Sequence, residues 1–324
     1  MGWIHYLAYQ QSSQASLAGF ASRDPKKRAG DWRGIQGNFG PPSEQISIDG
    51  LTVYASLEEA LADPEIDLID LCLPPDRHVD AVLKTLAAGK ACLCEKPLTL
   101  NHADALRLLE ADKEGKLMVA HVLAAMNEFQ FLIEAKEDER YGPIRGGRFH
   151  RTIGPPDWVP DFYDVKKVGG PLIDLHVHDT HLIRLLFGMP ADIHSTAIRK
   201  DGVPKRYESI FDYGGEFVVC AGGGVHDSPA RPFAHGYEVM FENATVRFEF
   251  AGYEDGTMDS IPLTVMHRDG SIDRPDLGDG DPIKAFTRQM DGVVQGFNGE
   301  RPQALDPQYA ADAIKISEWI ASAS

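Results

Sequence analysis

The chain has 324 residues, 43% hydrophobic and 25% charged, and this length and balance are typical of a globular protein with two domains. Its 49 acidic and 32 basic residues give a formal net charge of -17, which argues against nucleic-acid and anionic-membrane partners because phosphate groups repel such a surface. No apolar run reaches the ~18 residues that a membrane span requires, and the start lacks the pattern of a signal peptide, so we expect a cytoplasmic protein.

The first third of the chain alternates between helical and strand patterns. Ser56-Leu57-Glu58-Glu59 has the form of a capping box, which marks the start of a helix, and Gly89 marks the end of another. In chain order, the patterns predict a helix over 3–12, a strand over 15–21, a helix from 56, a strand over 66–73, a helix over 78–88, a strand over 91–94, a helix over 103–113 and a strand over 117–121. Such alternation predicts a parallel, doubly wound sheet over residues 1–121.

The pattern changes after residue 121, where strands follow one another with few helices between them. Predicted strands cover 145–152, 193–199, 206–213, 216–221, 236–242, 245–250 and 262–267, and predicted helices cover 282–296 and 307–321. Gly214 and Gly215 lie between two strand patterns and supply the positive φ angles that a two-residue hairpin turn requires. We therefore predict an α/β domain followed by an α+β domain with a mostly antiparallel sheet over residues 122–324.

The four cysteines are predicted to be small buried residues. Cys72, Cys92, Cys94 and Cys220 mostly lie in apolar, strand-like runs, and the spacing of Cys92 and Cys94 does not fit a redox or zinc pair. This usage is typical of a reducing compartment.

Lys96 is the residue that the pattern places best for chemistry. It follows the apolar strand 91–94 in the sequence Glu95-Lys96-Pro97, and ligands of open α/β sheets bind beyond the carboxyl ends of the strands. A desolvated amine near other cations has a lowered pKa and can exchange a proton near neutrality. The alternative is that Glu95 and Lys96 form a solvated ion pair after an ordinary strand.

Several motifs together resemble one enzyme family. They are Glu95-Lys96-Pro97, Pro74-Pro75-Asp76-Arg77-His78, Ala88-Gly89-Lys90 and the stretch from Gly169-Gly170 through Asp174 to His178. In this combination the chain is similar to the glucose-fructose oxidoreductase and inositol dehydrogenase family, often written Gfo/Idh/MocA, and the resemblance covers nearly the whole chain in element order.

The resemblance implies a Rossmann-type, dinucleotide-binding domain over 1–121. It also implies a domain over 122–324 that binds substrate and carries an open antiparallel sheet, through which many members associate, here as a homodimer or homotetramer. The implied activity is hydride transfer between NAD or NADP and a hydroxyl or keto group of a sugar, cyclitol or related polyol.

The resemblance also implies three catalytic residues: Lys96, Asp174 and His178. If Asp174 begins a helix, then Asp174, His178 and His181 share one face of it. Histidine titrates near neutral pH, so His178 is suited to accept the hydroxyl proton while Lys96 hydrogen-bonds the same oxygen. Asp174 would orient His178. The sequence leaves open whether His178 or Lys96 is the group that accepts the proton.

The histidine cluster has two other interpretations. The first is a plain helix whose histidines cap neighbouring loops. The second is a metal site made by His176, His178 and His181 with Asp174 or Asp179. His176 points about 160° away from His178 on an ideal helix, so we predict no metal there.

The nucleotide-binding turn departs from the family pattern. Gly2-Trp3-Ile4-His5 looks like only the tail of the glycine-rich turn, and the first, central strand is absent. We hypothesise that the sequence begins about ten residues late, because omitting a central strand leaves its neighbours with unpaired backbone groups. Intact mass of the protein from its natural locus tests this.

Cofactor contacts follow from the resemblance. The predicted set is Gly2, Ser22, Arg23, Asp24, Pro74, Pro75, His78, Glu95 and Lys96. Serine stands at position 22, where many relatives carry an acid, and Arg23 can meet a 2′-phosphate, which favours NADP; the alternative is that Asp24 accepts the ribose, which favours NAD.

Substrate contacts are predicted in the aromatic and acidic loop over 155–164 and in the histidine cluster. The predicted residues are Trp158, Tyr163, His176 and His181. The loop composition suits stacking on sugar faces, although plain surface loops share it.

Two competing functions remain open from the sequence. One is a keto-sugar lyase or glycosidase that uses the same lysine and histidine for proton abstraction. The other is a binding protein that has lost its cofactor.

Overall fold

The structure is a computed structural model, and it describes residues 1–35, 40–157, 159 and 161–324. It contains two compact units. The first comprises Met1–Leu98, Ala103–Met126 and Asp279–Gln308, and the second comprises Thr99–His102, Asn127–Gly278 and Tyr309–Ser324. This division differs from the single boundary between residues 121 and 122 that the sequence pattern suggested, because residues 279–308 pack with the first unit.

Helices and strands are numbered along the chain. The helices are α1 (Gly2–Gln11), α2 (Pro25–Arg28), α3 (Leu57–Ala62), α4 (His78–Ala87), α5 (His102–Ala111), α6 (Asn127–Glu137), α7 (Gly170–Asp174), α8 (Val177–Phe187), α9 (Pro282–Phe297) and α10 (Pro307–Ser322). The strands are β1 (Gly19–Ala21), β2 (Thr52–Tyr54), β3 (Leu68–Leu71), β4 (Ala91–Glu95), β5 (Leu117–Ala120), β6 (Ile144–Ile153), β7 (Asp192–Lys200), β8 (Val203–Asp212), β9 (Val218–Val225), β10 (Phe233–Phe241), β11 (Ala244–Gly252), β12 (Met258–His267) and β13 (Ile272–Asp273).

The strands of the first unit are all parallel, as the alternating pattern predicts. They form a two-stranded sheet of β1 and β2 and a three-stranded sheet in the order β3-β4-β5. Every residue of β4 is buried, which is typical of an inner strand covered on both faces. Because β3 and β4 are neighbours, the residues that follow them emerge at the same edge of the sheet.

Local signals in the first unit are confirmed. The Ser56 side chain accepts a hydrogen bond from the Glu59 amide at 3.2 Å, and the Glu59 carboxylate accepts one from the Ala55 amide at 2.7 Å. The Ser56 contact is the N-cap half of the predicted capping box, and Glu59 binds the amide one residue before the N-cap. Gly89 follows α4 with a φ of 73°, the left-handed conformation that glycine adopts readily.

Helix α9 belongs to the first unit because its apolar face packs against α1. The core there contains Trp3, Ile4, Phe286, Met290 and Val293, all buried. The Ser12 hydroxyl at the end of α1 donates to the Asp291 carboxylate at 2.8 Å. The amphipathic pattern of residues 282–296 therefore predicts the helix correctly but not its partner.

The second unit is built on one eight-stranded sheet in the order β13-β12-β11-β10-β6-β9-β8-β7. Its described neighbours are antiparallel except for β6 and β9, which are parallel. Gly214 and Gly215 have the predicted positive φ angles, 69° and 84°, but β8 and β9 pair from Asp212 and Val218, so the connection is longer than the predicted two-residue turn. The mostly antiparallel second domain is confirmed.

None of the four cysteines is in a disulfide. Cys92 and Cys94 are fully buried in β4, whereas Cys72 and Cys220 are half-buried.

Within the described ranges of the chain, no helix is both long and apolar enough to span a membrane.

Candidate active site

The loops that follow β3 and β4 are held together by His78. This side chain is fully buried at the start of α4, and its ring nitrogens lie 2.8 Å from the Pro97 carbonyl oxygen and 2.8 Å from the Leu73 carbonyl oxygen. Pro74 and Pro75 lie in the loop between β3 and α4. His78 therefore fixes the position of the turn that contains Lys96, and this is a positioning role that the sequence did not reveal.

Glu95 is a buried acid at the end of β4. One carboxylate oxygen accepts a hydrogen bond from the Lys96 amide at 3.0 Å, and the other lies 2.9 Å from His5 Nε2. Glu95 is 4% exposed, and both of its carboxylate oxygens contact protein groups. It therefore does not fit the solvated ion pair with Lys96 that the sequence left open. Lys96 itself is half-buried immediately beyond the strand end.

His5 connects two carboxylates in the interior of the first unit. Its Nδ1 lies 2.7 Å from the Asp70 carboxylate, opposite the contact with Glu95, and the Tyr9 hydroxyl donates to the same Asp70 oxygen at 3.0 Å. Burial alone would lower the pKa of His5, but Asp70 and Cys72 raise that pKa well above its usual range. The sequence pattern did not predict this cluster, although an acid at position 70 within an apolar strand is a signal for it.

Cys72 completes the cluster at the end of β3. Its Sγ lies 3.4 Å from His5 Nδ1 and 3.7 Å from an Asp70 carboxylate oxygen. Removal of the thiol from water, together with the Asp70 charge, raises the pKa of Cys72 to about 11. The thiol is therefore protonated at neutral pH.

A cavity of about 1380 Å³ opens beside this cluster in the first unit. It is bordered by the first turn of α1, the end of β1 and the end of β3, and its lining includes Gly2, Ser22 and Arg23 of the predicted cofactor set. Its volume exceeds the roughly 300–1,000 Å³ of most small-molecule pockets, so it has room for an extended ligand. The Asp24 carboxylate instead caps α2 by accepting from the Lys26 amide at 2.9 Å.

The helix that was expected to begin at Asp174 begins at Val177 instead. Asp174 is the last residue of α7, and His178 lies in the first turn of α8, both half-buried. The chain reaches α7 through Gly169 and Gly170, whose φ angles are 88° and 72°. A side chain at Gly169 would lie 2.5 Å from Ile173, so the close turn that enters α7 requires glycine.

His176 and His181 of the predicted substrate set lie in the interior of the second unit. They are 0% and 1% exposed, and the His176 Nδ1 contacts the Asp179 carboxylate at 3.2 Å. Burial, followed by the Arg184 charge, lowers the pKa of His181 to about 3. The surroundings of His181 are typical of a neutral core histidine.

Arg151 forms a buried ion pair with Asp179. Its guanidinium donates to both carboxylate oxygens, at 2.8 and 3.2 Å. Burial alone would raise the pKa of Asp179, but Arg151 and His176 outweigh it and hold that pKa far below its usual range. A carboxylate already paired with a guanidinium is a poor ligand for a metal cation, which argues against the metal interpretation of this cluster.

The predicted aromatic loop carries Tyr163 beside a pocket of about 250 Å³ in the second unit. The Lys200 ammonium lies 4.4 Å from the centre of the Tyr163 ring, a cation–π contact. Lys200 and Lys205 also line this pocket, and neither was noted in the sequence. Trp158 lies outside the described residues.

Acid should destabilise the second unit through His235. The ring stacks on Phe129 at 5.5 Å, and burial, followed by the Arg151 charge, lowers the pKa of His235 to about 3. The unfolded state binds a proton near pH 6.5, so stability is complete above that pH and falls below it, by about 2 kcal/mol at pH 5. We expect urea unfolding of the His235→Phe variant to show a correspondingly smaller loss between pH 7.5 and 5. An exposed control, His194→Gln, should keep the full loss, and an unchanged loss in His235→Phe would contradict the assignment.

The chain is similar to known proteins both in sequence and in structure. Residues 2–122 match the model of an oxidoreductase family with an NAD-binding Rossmann fold. Inositol 2-dehydrogenase of Rhizobium meliloti (strain 1021) is 28% identical over 248 residues, which cover 75% of this chain and 69% of that protein. 1,5-Anhydro-D-fructose reductase of Ensifer adhaerens is 30% identical over 46% of this chain and 47% of that protein.

A third relative is the trans-1,2-dihydrobenzene-1,2-diol dehydrogenase of Oryctolagus cuniculus, 30% identical over 54% of this chain and 52% of that protein. The matches to the second and third relatives thus span about half of those proteins. Among solved structures, levoglucosan dehydrogenase in complex with NADH and levoglucosan superposes with a TM-score of 0.76 at 16% identity, over 100% of this chain and 94% of that chain. A putative myo-inositol dehydrogenase from Sinorhizobium meliloti 1021 gives 0.72 at 18% identity, over 100% and 95%. At these identities the structural matches show a common fold.

Proposed function

We propose that this chain, which belongs to the Gfo/Idh/MocA family of oxidoreductases, transfers a hydride between a nicotinamide cofactor and a hydroxyl or keto group of a sugar, cyclitol or related polyol. The observation that carries the proposal is the family match over residues 2–122, the segment that forms most of the large cavity wall. The names of the sequence relatives support a substrate with hydroxyl or keto groups on a ring.

The cavity has room for a dinucleotide. Gly2 at the start of α1 lets the backbone approach a diphosphate, and Arg23 and Lys27 on the cavity wall offer positive charge. When bound, the nicotinamide ring accepts or donates the hydride. The side chains of the protein transfer the proton of the substrate hydroxyl.

For the proton we retain the assignment that the family resemblance implies. In the oxidation direction, His178 takes the proton of the substrate hydroxyl as the hydride leaves the adjacent carbon. Lys96 hydrogen-bonds the same oxygen and stabilises its developing negative charge. Asp174 orients His178, and the buried contacts of Glu95 and His78 hold the turn that contains Lys96.

We propose NADP as the preferred cofactor. Ser22, Arg23 and Lys27 line the cavity at the end of β1, so a 2′-phosphate would meet cationic side chains there. The Asp24 carboxylate, which could otherwise accept the ribose hydroxyls of NAD, is engaged as the cap of α2.

Replacing Arg23 with alanine should weaken NADP⁺ binding by roughly 10–100-fold, because a charge-assisted hydrogen bond to phosphate contributes about 1.5–3 kcal/mol. Binding of NAD⁺ should change little. Isothermal titration calorimetry with both cofactors measures the two affinities. Arg33→Ala is the matched control, since Arg33 is exposed and paired with Asp31. Tighter binding of NAD⁺ than of NADP⁺ to the unmodified protein would refute the preference.

Turnover with a panel of sugars and inositols tests the activity itself. Net reduction of the cofactor, seen in its near-ultraviolet absorbance, supports a dehydrogenase, whereas product without net reduction supports the lyase alternative. If neither cofactor raises the melting temperature, the cofactor-free binding protein is favoured, because a ligand at 100 times its Kd should stabilise by about 2.7 kcal/mol.

We further propose a cytoplasmic homodimer or homotetramer that associates through the outer face of the eight-stranded sheet. That face carries exposed apolar side chains at Ile198, Ile210 and Val218, which are 64%, 59% and 69% exposed. They lie on three neighbouring strands, β7, β8 and β9. Sedimentation equilibrium measures the state, and a monomer at micromolar concentration would contradict it.

A further inference from the structure

The His5, Asp70 and Cys72 side chains bring three different metal-ligating atoms to one point. An imidazole nitrogen, a carboxylate oxygen and a thiol sulfur all lie within 4.8 Å of one another. Asp70 and Cys72 are two residues apart where β3 ends, so both project from the same side of the chain. His5 reaches them from α1. Across the described ranges of the chain, no other group of three or more histidine, cysteine or acidic side chains brings its donor atoms this close together.

The spacing of the donors suits a tetrahedral ion. Zinc bonds of about 2.0–2.3 Å to nitrogen, oxygen and sulfur place ligand atoms about 3.3–3.7 Å apart. The Sγ of Cys72 is 3.4 Å from His5 Nδ1 and 3.7 Å from Asp70 Oδ1. The nitrogen-to-carboxylate distance of 2.7 Å is a hydrogen bond and would open by about half an ångström when an ion replaces the proton.

We propose that His5 Nδ1, the Asp70 carboxylate and the Cys72 thiolate form a binding site for a divalent ion of the zinc class. A mixed set of nitrogen, oxygen and sulfur ligands selects zinc or cobalt over magnesium and calcium, which take oxygen ligands. All three residues line the 1380 Å³ cavity, so an ion has access from solvent and a fourth position open to water or a ligand.

Glu95 supplies the outer support that metal-bound histidines generally have. Its carboxylate lies 2.9 Å from His5 Nε2, on the far side of the ring from Asp70 and Cys72. A proton retained on Nε2 and donated to Glu95 leaves the Nδ1 lone pair directed at the ion and fixes the ring orientation.

Binding of a divalent ion is expected to release two protons and to leave the net charge of the cluster unchanged. In the metal-free protein both His5 nitrogens face carboxylate oxygens, which only accept hydrogen bonds, so the ring is an imidazolium. On binding, the Nδ1 proton of His5 and the thiol proton of Cys72 pass to solvent, and one dication enters. The net charge of the cluster is therefore unchanged, and no oxidant or reductant is needed.

Titration of the full chain with Co²⁺, followed by visible and near-ultraviolet absorption, tests the site without reference to hydride transfer. We expect one Co²⁺ per chain with the intense bands of tetrahedral geometry and a thiolate-to-cobalt charge-transfer band. Zn²⁺ should displace Co²⁺ and remove both features. The Cys220→Ala variant, which changes a half-buried cysteine of the second unit, should keep the spectrum.

Variants at the site decide the outcome. Cys72→Ser keeps the size of the side chain and an oxygen donor, so the protein should stay folded and lose the charge-transfer band; Asp70→Asn should weaken Co²⁺ binding. Glu95→Gln should weaken it by about 10–100-fold while keeping the band. The proposal is overturned if the unmodified protein shows no charge-transfer band, or if the band persists in a folded Cys72→Ser variant. An adventitious surface ion with oxygen ligands would give neither feature.

Discussion

Replacing Lys96 with methionine is expected to reduce kcat by at least about 10²–10⁴-fold, the usual contribution of a positioned acid–base group. Methionine keeps the apolar stem of the side chain, so the half-buried position after β4 stays filled and the fold should survive. The ammonium group that stabilises charge on the substrate oxygen is lost, and this loss should lower kcat more than it raises KM. Steady-state turnover with the best substrate of the panel measures both constants.

Two controls accompany the Lys96→Met experiment. Lys113→Met removes an exposed lysine after α5 and should leave turnover unchanged. Calorimetric binding of the cofactor to Lys96→Met separates the loss of catalysis from the loss of a cofactor contact, because Lys96 also belongs to the predicted cofactor set. Near-normal turnover in Lys96→Met would remove the central assignment of Lys96 as a catalytic residue.

Replacing Asp179 with alanine is expected to destabilise the protein by about 3–5 kcal/mol, because it leaves the buried Arg151 guanidinium without its carboxylate partner. Arg151 and Asp179 are 4% and 2% exposed, so water cannot replace the lost contacts without opening the core. The free energy of unfolding from urea titration, followed by circular dichroism, measures the change.

A surface pair gives the matched control for this prediction. Lys167 and Asp161 form an exposed ion pair, with side chains 54% and 55% exposed, so Asp161→Ala should change stability by less than about 1 kcal/mol. The double variant Arg151→Met with Asp179→Ala should lose less stability than the sum of the single losses, because no unpaired charge then remains. Additive losses, or a small loss in Asp179→Ala alone, would contradict the account.

The local patterns predicted most elements of the fold. Strand β4, helix α4 with Gly89 after it and the helix start at Ser56 all depend on neighbours in the chain, and each is confirmed. Helix α6 was missed because its apolar residues are interrupted by glutamates and a lysine, which weakened the pattern. The break between α7 and α8 at Leu175 and His176 was missed because helical spacing alone runs through both residues.

Long-range packing could not be predicted from these patterns. The assignment of α9 to the first unit depends on contacts such as Ser12 with Asp291, far apart in the chain. The placement of Lys96 after a buried strand followed from general sheet geometry, but the partners of Glu95 did not, since His5 comes from α1. Arg151 and Asp179 similarly meet only once β6 and α8 have packed.

The central claim is that a hydride leaves a substrate carbon for the nicotinamide ring while Lys96 acts at the attached oxygen. The most direct measurement is the fate of deuterium placed on the carbinol carbon of a turned-over sugar or cyclitol. We predict that mass spectrometry will find the reduced cofactor heavier by one deuterium. Deuterium released to water, with no net reduction of the cofactor, would contradict hydride transfer and support proton abstraction.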